Sequence, residues 1–263
     1  MSVAKVKALF YCILILAPIG LVRADSLHIE EAFRYFDLRA ENSRECIADV
    51  TYIDKSIFYF EAALKQDPHL HPDIIAGLLK AYEFKGARTE VPSEDKIAVF
   101  EKGISLGKKM MVTHPDHPGI KYWYMANLGR WAQEVGVMKA ARTSVASEIK
   151  EIAEWMMEHA PLYDEAGPYR VLGSMHMELP RIPFIISWPS DKEGLALLEK
   201  AYEMAPQNYG NTLRYARALL KEGYDEKAMA ILEPLEKAEP RKKTYIEDLH
   251  NLKAARILLA EQK

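Results

Sequence analysis

Apolar residues recur along this chain at steps of three and four, in short blocks that each run into a proline. Five blocks end alike: FEAALKQDP at Pro68, KKMMVTHP at Pro115, EWMMEHAP at Pro161, LEKAYEMAP at Pro206 and LEPLEKAEP at Pro240. A step of three and four is one face of a helix, and proline stops a helix by removing a backbone donor and crowding the preceding turn. Four of these helices open on acidic residues: Asp54-Lys55 before IFYFEAAL, Asp95-Lys96 before IAVFEKGI, Asp191-Lys192 before GLALLEKAY and Asp225-Glu226-Lys227 before AMAILEPL. An aspartate there accepts a free amide bond and suits the positive end of the helix dipole. Between the prolines lies a further helix each time, in HPDIIAGLLKAY, KYWYMANLGRWA, YRVLGSMHMEL and NTLRYARALLKEG. The order is helix A, helix B, proline, repeated. A first helix over about Asp25 to Ala40 and a capping helix after Asp248 complete the chain, and no stretch keeps the period-two alternation of strands.

The unit follows from the proline spacing. Pro206 and Pro240 are 34 residues apart, the period of the tetratricopeptide repeat, and Ala216, Ala228 and Pro240 fall on its small and terminal positions. Leu128-Gly129 and Leu172-Gly173 resemble the Leu-Gly pair on the first helix of such a repeat, where a small residue lets two helices approach. The other intervals are 47, 46 and 45 residues, and most of the excess sits between helices A and B, in EFKGARTEVPSE, EVGVMKAARTSV and MELPRIPFIISWPS. Loops of that length are either functional or decorative. The third carries Ile182, Phe184, Ile185, Ile186 and Trp188, an unusual choice for a solvated loop. The prediction is one all-α domain over residues 25–263, a helical-repeat solenoid of about four degenerate repeats with inserts between helices A and B.

The first 24 residues read differently. Lys5 and Lys7 precede an apolar run from Ala8 to Leu21, closed by Val22-Arg23-Ala24, which is the layout of a secretory signal peptide cleaved after Ala24. Export to the periplasm is the expectation. Cys12 lies within the apolar run and no cysteine stands at the cleavage site, so no lipid anchor is expected there, and Cys46 alone remains after processing. Loss of Lys5, Lys7 and Arg23 takes the formal charge from −3 to −6, which disfavours nucleic acid or anionic membrane as the main partner.

Little in the chain resembles catalysis. His69 and His71 in DPHLHP and His114 and His117 in HPDHP lie near Asp67 and Asp116, but in proline-rich turns rather than in a rigid set of three or four ligands. There is no G-x-S-x-G elbow and no glycine-rich phosphate loop, and Glu30-Glu31 and Glu90 with Glu94 read as solvated faces. No enzyme activity, metal or cofactor is expected.

Binding is the remaining chemistry. KYWYMANLGRWAQEVG places Tyr122, Trp123, Tyr124 and Trp131 on one helix, with Trp123, Asn127 and Trp131 recurring every four residues and Tyr124 and Leu128 in a neighbouring stripe. Two indoles flanking an amide would make an apolar wall with one polar handle; equally, both stripes could pack on neighbouring helices. Further candidates for the same cavity are Tyr169, Arg170 and Met175, Phe184 and Trp188 on the insert, and Tyr209 and Tyr215. Asn127, Arg130 or Arg170 would meet a polar group of the ligand. Methionines at 110, 111, 156, 157, 175 and 177 add adaptable surface.

The repeats together with YWYMANLGRWA, RVLGSMHMELPRIPFIISWPS and ALLEKAYEMAPQNYGNTLRYARALL resemble the TRAP-transporter-associated T-component (TatT-like) family over nearly all of the mature chain. The resemblance implies a periplasmic helical protein with an internal cavity or pore for a hydrophobic small molecule of lipid or sterol class. It also implies a periplasmic solute-binding protein or transporter component as partner, and a homo-oligomer in some members. This chain departs from the family's usual lipoprotein anchor, since no cysteine stands at the expected cleavage site. A second expectation, of another class, is an interaction scaffold that receives a peptide or helix without a ligand of its own.

Overall fold

The computed structural model describes residues 19–136, 143–181 and 188–261, with side chains from Leu27 on. Its helices are α1 (Ile19–Asp37), α2 (Val50–Gln66), α3 (Pro72–Arg88), α4 (Ser93–Thr113), α5 (Pro118–Val135), α6 (Val145–His159), α7 (Gly167–Glu178), α8 (Asp191–Met204), α9 (Tyr209–Lys221), α10 (Asp225–Leu232) and α11 (Tyr245–Glu261), with 3₁₀ turns at Glu233–Glu236 and Lys242–Thr244. Among the described residues there is no strand, only the isolated bridges Arg44 to Ile47 and Ala48 to Thr89. The fold is an all-α helical-repeat solenoid. No helix among these residues is long and apolar enough to cross a membrane.

The local signals behave as the pattern predicts, with three corrections. Helices α2, α4, α6 and α8 each end two residues before their proline. The last block does not run to Pro240: Pro234 cannot donate to the helix ladder, so α10 stops at Leu232 and tightens into a 3₁₀ turn. The four predicted aspartates do not cap: Asp49, not Asp54, caps α2 by accepting from Thr51 N at 2.8 Å, Ser190 caps α8, and Asp95, Asp191 and Asp225 lie in the first turns of their helices, where they suit the dipole without capping; Asp54 lies inside α2, paired with Lys85 at 2.7 Å. The first insert, EFKGARTEVPSE, is a loop only over residues 89–92. Its residues extend α3 to Arg88 and start α4 at Ser93, because a run with only one glycine and good helix formers continues the helix. His71 and His117 cap α3 and α5, with His117 Nδ1 accepting from Ile120 N at 3.2 Å, just ahead of prolines at the first helical position. The signal segment up to residue 18 and the insert residues 182–187 lie outside the described residues, and α1 runs continuously past Ala24.

Consecutive helices pack against one another, and the first helices of the repeats also meet, α3 with α5, α7 with α9 and α9 with α11. The largest apolar cluster joins α3 to α7 around Leu79, Ile120, Tyr124, Ile149, Met156 and Leu172. A second joins α8 to α11 around Leu198, Leu213, Ala216, Ala228 and Leu252. Ala216 and Ala228, the small positions of the 34-residue unit, are fully buried there.

The two ends of the solenoid touch. Ile246 at the start of α11 is fully buried in the N-terminal cluster with Ala32, Phe36, Ala48 and Ile53. Arg39, just past α1, donates to Lys243 O at 2.7 Å and to Glu247 Oε1 at 3.3 Å, and Lys253 pairs with Glu45 at 2.5 Å. An open superhelix would keep its ends apart; here α11 returns to the first helices, and the inner space becomes a lumen that still opens to solvent.

Candidate functional site

The lumen has a volume of about 450 Å³ and is lined from α3, α5, α6, α7, α9 and α11 together with the turns before α7 and α11. That size is within the usual range of small-molecule pockets, ~300–1,000 Å³. One part of the wall is apolar, with Phe84, Trp123, Met125, Val145, Ile149, Met175 and Leu179. The rest is charged. Each inner helix from α3 to α9 contributes at least one cation: Lys80 and Arg88 from α3, Arg130 from α5, Arg170 from α7 and Arg214 from α9.

The face of α5 turned to the lumen carries Tyr122, Ala126, Gly129, Arg130 and Gln133. A residue every four positions advances about 40° per step on a helix of 3.6 residues per turn, so the stripe of Trp123, Asn127 and Trp131 curls away from it. Trp123 remains on the lining and donates from Nε1 to Tyr163 Oη at 3.2 Å. Asn127 is fully buried between helices, donating from Nδ2 to Leu79 O at 2.9 Å and Trp123 O at 2.7 Å. Trp131 turns toward α4 and donates to Glu101 at 3.2 Å. Tyr124 is buried against Gly107 and donates to Glu148 at 2.5 Å, so it is core.

Arg170 and Met175 line the lumen. Tyr169 packs instead on the small cluster of Ala166, Ala201 and Ala205, and Tyr209 packs on the C-terminal cluster, donating to Glu239 O at 3.0 Å. Tyr215 is buried and donates to Glu199 at 2.5 Å. Trp188 stands edge-on to His176, with ring centroids 4.9 Å apart, away from the lining. Phe184 lies outside the described residues.

Arg170 is the hub of the lumen wall. Its Nη2 donates to Asp164 Oδ2 at 2.5 Å and Tyr122 Oη at 2.9 Å, while Nη1 donates to Asn211 Oδ1 at 2.8 Å. It also holds the carbonyls of Asp164 and Glu165, in a turn where Asp164, Glu165 and Ala166 all have left-handed backbone, with φ of 49°, 56° and 62°. Three such residues in a row cost roughly 1–2 kcal/mol each, and Arg170 with Asn211 holds them in place. Its charge serves the fold.

Other charges are less well matched. Arg130 pairs with Glu83 at 2.9 Å, and Arg241 with Glu165 at 2.7 Å and Asp248 at 2.8 Å. Burial alone would push the Glu83 carboxyl up, but Arg130, Arg88 and Lys80 outweigh it and hold it below the usual range. Lys80, Arg88 and Arg214 have no carboxylate at ion-pair distance among the described residues. Burial lowers the pKa of all three, that of Arg214 to about 9, where the nearby Arg170 and Arg130 add to the effect. Lys80 lies over the Trp123 ring at 5.0 Å, which offsets part of its lost hydration. The sequence pointed to the aromatic residues and missed Lys80, Arg88 and Arg214. The available signal was a cation flanked on both sides by apolar residues, as in GLLKAY and TLRYA, which a solvated helix face would not need.

Residues 192–256 match the family model described as tetratricopeptide repeat. A crystal structure of a thermophilic tetratricopeptide-repeat protein of Thermus thermophilus is similar to this one with a TM-score of 0.58 at 13% identity, over 89% of this chain and 99% of that chain. No curated protein matches the sequence. Repeats of this architecture commonly serve as scaffolds for interaction with other proteins. The chain is a helical-repeat solenoid of tetratricopeptide type.

Proposed function

We propose that this protein is a carrier that encloses a small molecule with a substantial apolar body in the lumen of its closed solenoid and passes it to or from a partner. The observation that carries the reading is the closure of the ring by α11, through Ile246 and the Arg39 contacts to Lys243 and Glu247, around a partly apolar space of about 450 Å³. Burying apolar ligand surface there is worth ~25 cal/mol per Å², less the cost of immobilising the ligand. The resemblance to the TRAP-transporter-associated T-components supports a lipid- or sterol-class ligand, a periplasmic location and a transport partner. An interaction scaffold shares the architecture; contact between the ends narrows the inner space that a peptide would occupy, and the outer faces stay available for that role.

The reading is tested by extracting purified protein with organic solvent for mass spectrometry and by titrating it with the neutral dye Nile red. Gly129 provides the control. A Cβ there meets only Ile149 Cδ1, at 3.8 Å, so the ring of Gly129→Phe grows into the lumen. One-site, saturable uptake by the wild type and its loss in Gly129→Phe, with the helical circular dichroism unchanged, is the expected result. An empty extract with no saturable uptake rejects an enclosed ligand.

A further inference from the structure

We infer that the ligand of this lumen is an amphipathic anion, an apolar body ending in a carboxylate or phosphate group, and that Arg88 and Arg214, with Arg130 beside them, receive its head. The inference rests on the lumen being a ligand site, and adds which end of the ligand goes where.

The lining carries Glu83, Asp164, Glu165, Glu247 and Asp248 each paired with an arginine, whereas Lys80, Arg88 and Arg214 face no carboxylate at ion-pair distance among the described residues. Glu178 is the lining carboxylate without a pair among these residues, and it is exposed. The formal charges of the lining balance, six cations against six carboxylates, but the pairing is uneven: Arg241 takes two carboxylates and Glu247 is held by Arg39 from outside the lining, which leaves Lys80, Arg88 and Arg214 unmatched at close range. Arg214 donates to Gly210 O at 3.2 Å, and the Nε of Arg88 is buried with no hydrogen-bond partner among the described residues. Among the described residues the Ser174 hydroxyl on the lining is likewise buried and unmet, as is Glu247 Oε2, whose other oxygen accepts from Arg39.

Half-buried guanidiniums without a partner charge cost stability, and a fold gains nothing by keeping them unless a counter-charge arrives. An oxyanion head answers this need, because its oxygens accept from several N–H donors at once. The apolar wall of Trp123, Met125, Val145, Ile149 and Met175 then covers the body of the same molecule. Bare inorganic anions would leave that wall in contact with water, and a neutral lipid would leave the arginines unmatched.

The test compares dodecanoate, dodecyl phosphate and the neutral 1-dodecanol by isothermal titration calorimetry on wild type, Arg88→Met and Arg214→Met. Tighter binding of at least one anionic probe than of dodecanol, by about tenfold or more, with that advantage lost in either variant, supports the inference; which anion leads separates a carboxylate from a phosphate head. A second readout does not depend on the probe. Removing an unmatched buried cation should raise the Tm of the ligand-free variants, which a structural role for either arginine would instead lower. Equal binding of all three probes, unaffected by the variants, overturns the anion inference and leaves the apolar carrier standing; no saturable binding of any probe, with Tm lowered in both variants, overturns both.

Discussion

Asn127 on α5 occupies the space that Gly103 on α4 leaves open: a Cβ on Gly103 would fall 2.5 Å from Asn127 Cγ and Oδ1. The amide is the wedge between two helices and α3, so it belongs to the packing of the repeats. Gly103→Ala should destabilise by about 1–3 kcal/mol despite the better helix propensity of alanine, since the core must shift. Urea unfolding measures this; a gain in stability would show that Asn127 has room to move.

The two Leu-Gly pairs that look alike in sequence should respond oppositely. A Cβ on Gly173 meets Leu198 Cγ at 2.8 Å and Gly194 O at 3.2 Å, the close approach of α7 to α8. Gly129 faces the lumen with open space beside it. Gly173→Ala should therefore cost about 1–3 kcal/mol, and Gly129→Ala should be neutral or stabilise by up to ~1 kcal/mol. Equal effects at both sites would mean the lumen is closed at Gly129.

Arg170 should behave as a staple. Arg170→Gln leaves Asp164, the Tyr122 hydroxyl and two carbonyls of a left-handed turn without their donor, and should destabilise by about 3 kcal/mol. Arg170→Lys keeps the charge but not the fork, and should recover less than half of that loss. Thermal melts of the ligand-free protein decide; a variant as stable as wild type would move Arg170 from the fold to the ligand.

His250 on α11 gives a pH dependence with a definite sign. Burial, with Arg88, Arg130, Arg214 and Arg217 opposing a further positive charge, lowers its pKa from 6.5 to about 4. Above pH 6.5 the imidazole is neutral folded and unfolded alike. Below it the unfolded chain takes up a proton that the folded one resists, so stability falls as pH drops toward about 4. His250→Gln should lose less stability between about pH 7 and pH 5 than wild type does. A histidine NMR titration with a midpoint at or above 6.5 would contradict this.

Much of the fold was legible because its determinants are local. Proline ends α2, α4, α6 and α8 by the same steric rule wherever it occurs, and the alanines at 216 and 228 mark buried contacts because a larger side chain would not fit. The lumen was less legible. The aromatic stripe drew attention to α5, and only Trp123 of its three members stays on the lining, since a four-residue step drifts around a helix. Arg88 was hidden in a segment that reads as an insert and is in fact the last turn of α3.

By itself, the sequence determined an all-α chain of paired helices with a repeat of tetratricopeptide type, because periodicity, caps and stops act over a few residues. Whether the ends of that solenoid stay apart or meet was decided only by tertiary structure, through contacts such as Arg39 to Lys243 and Arg39 to Glu247, between residues about two hundred positions apart. Closure converts cations that would be solvated on an open groove into unmatched charges around an enclosed space. That change of environment comes from how the ends meet, and no local pattern of residues encodes it.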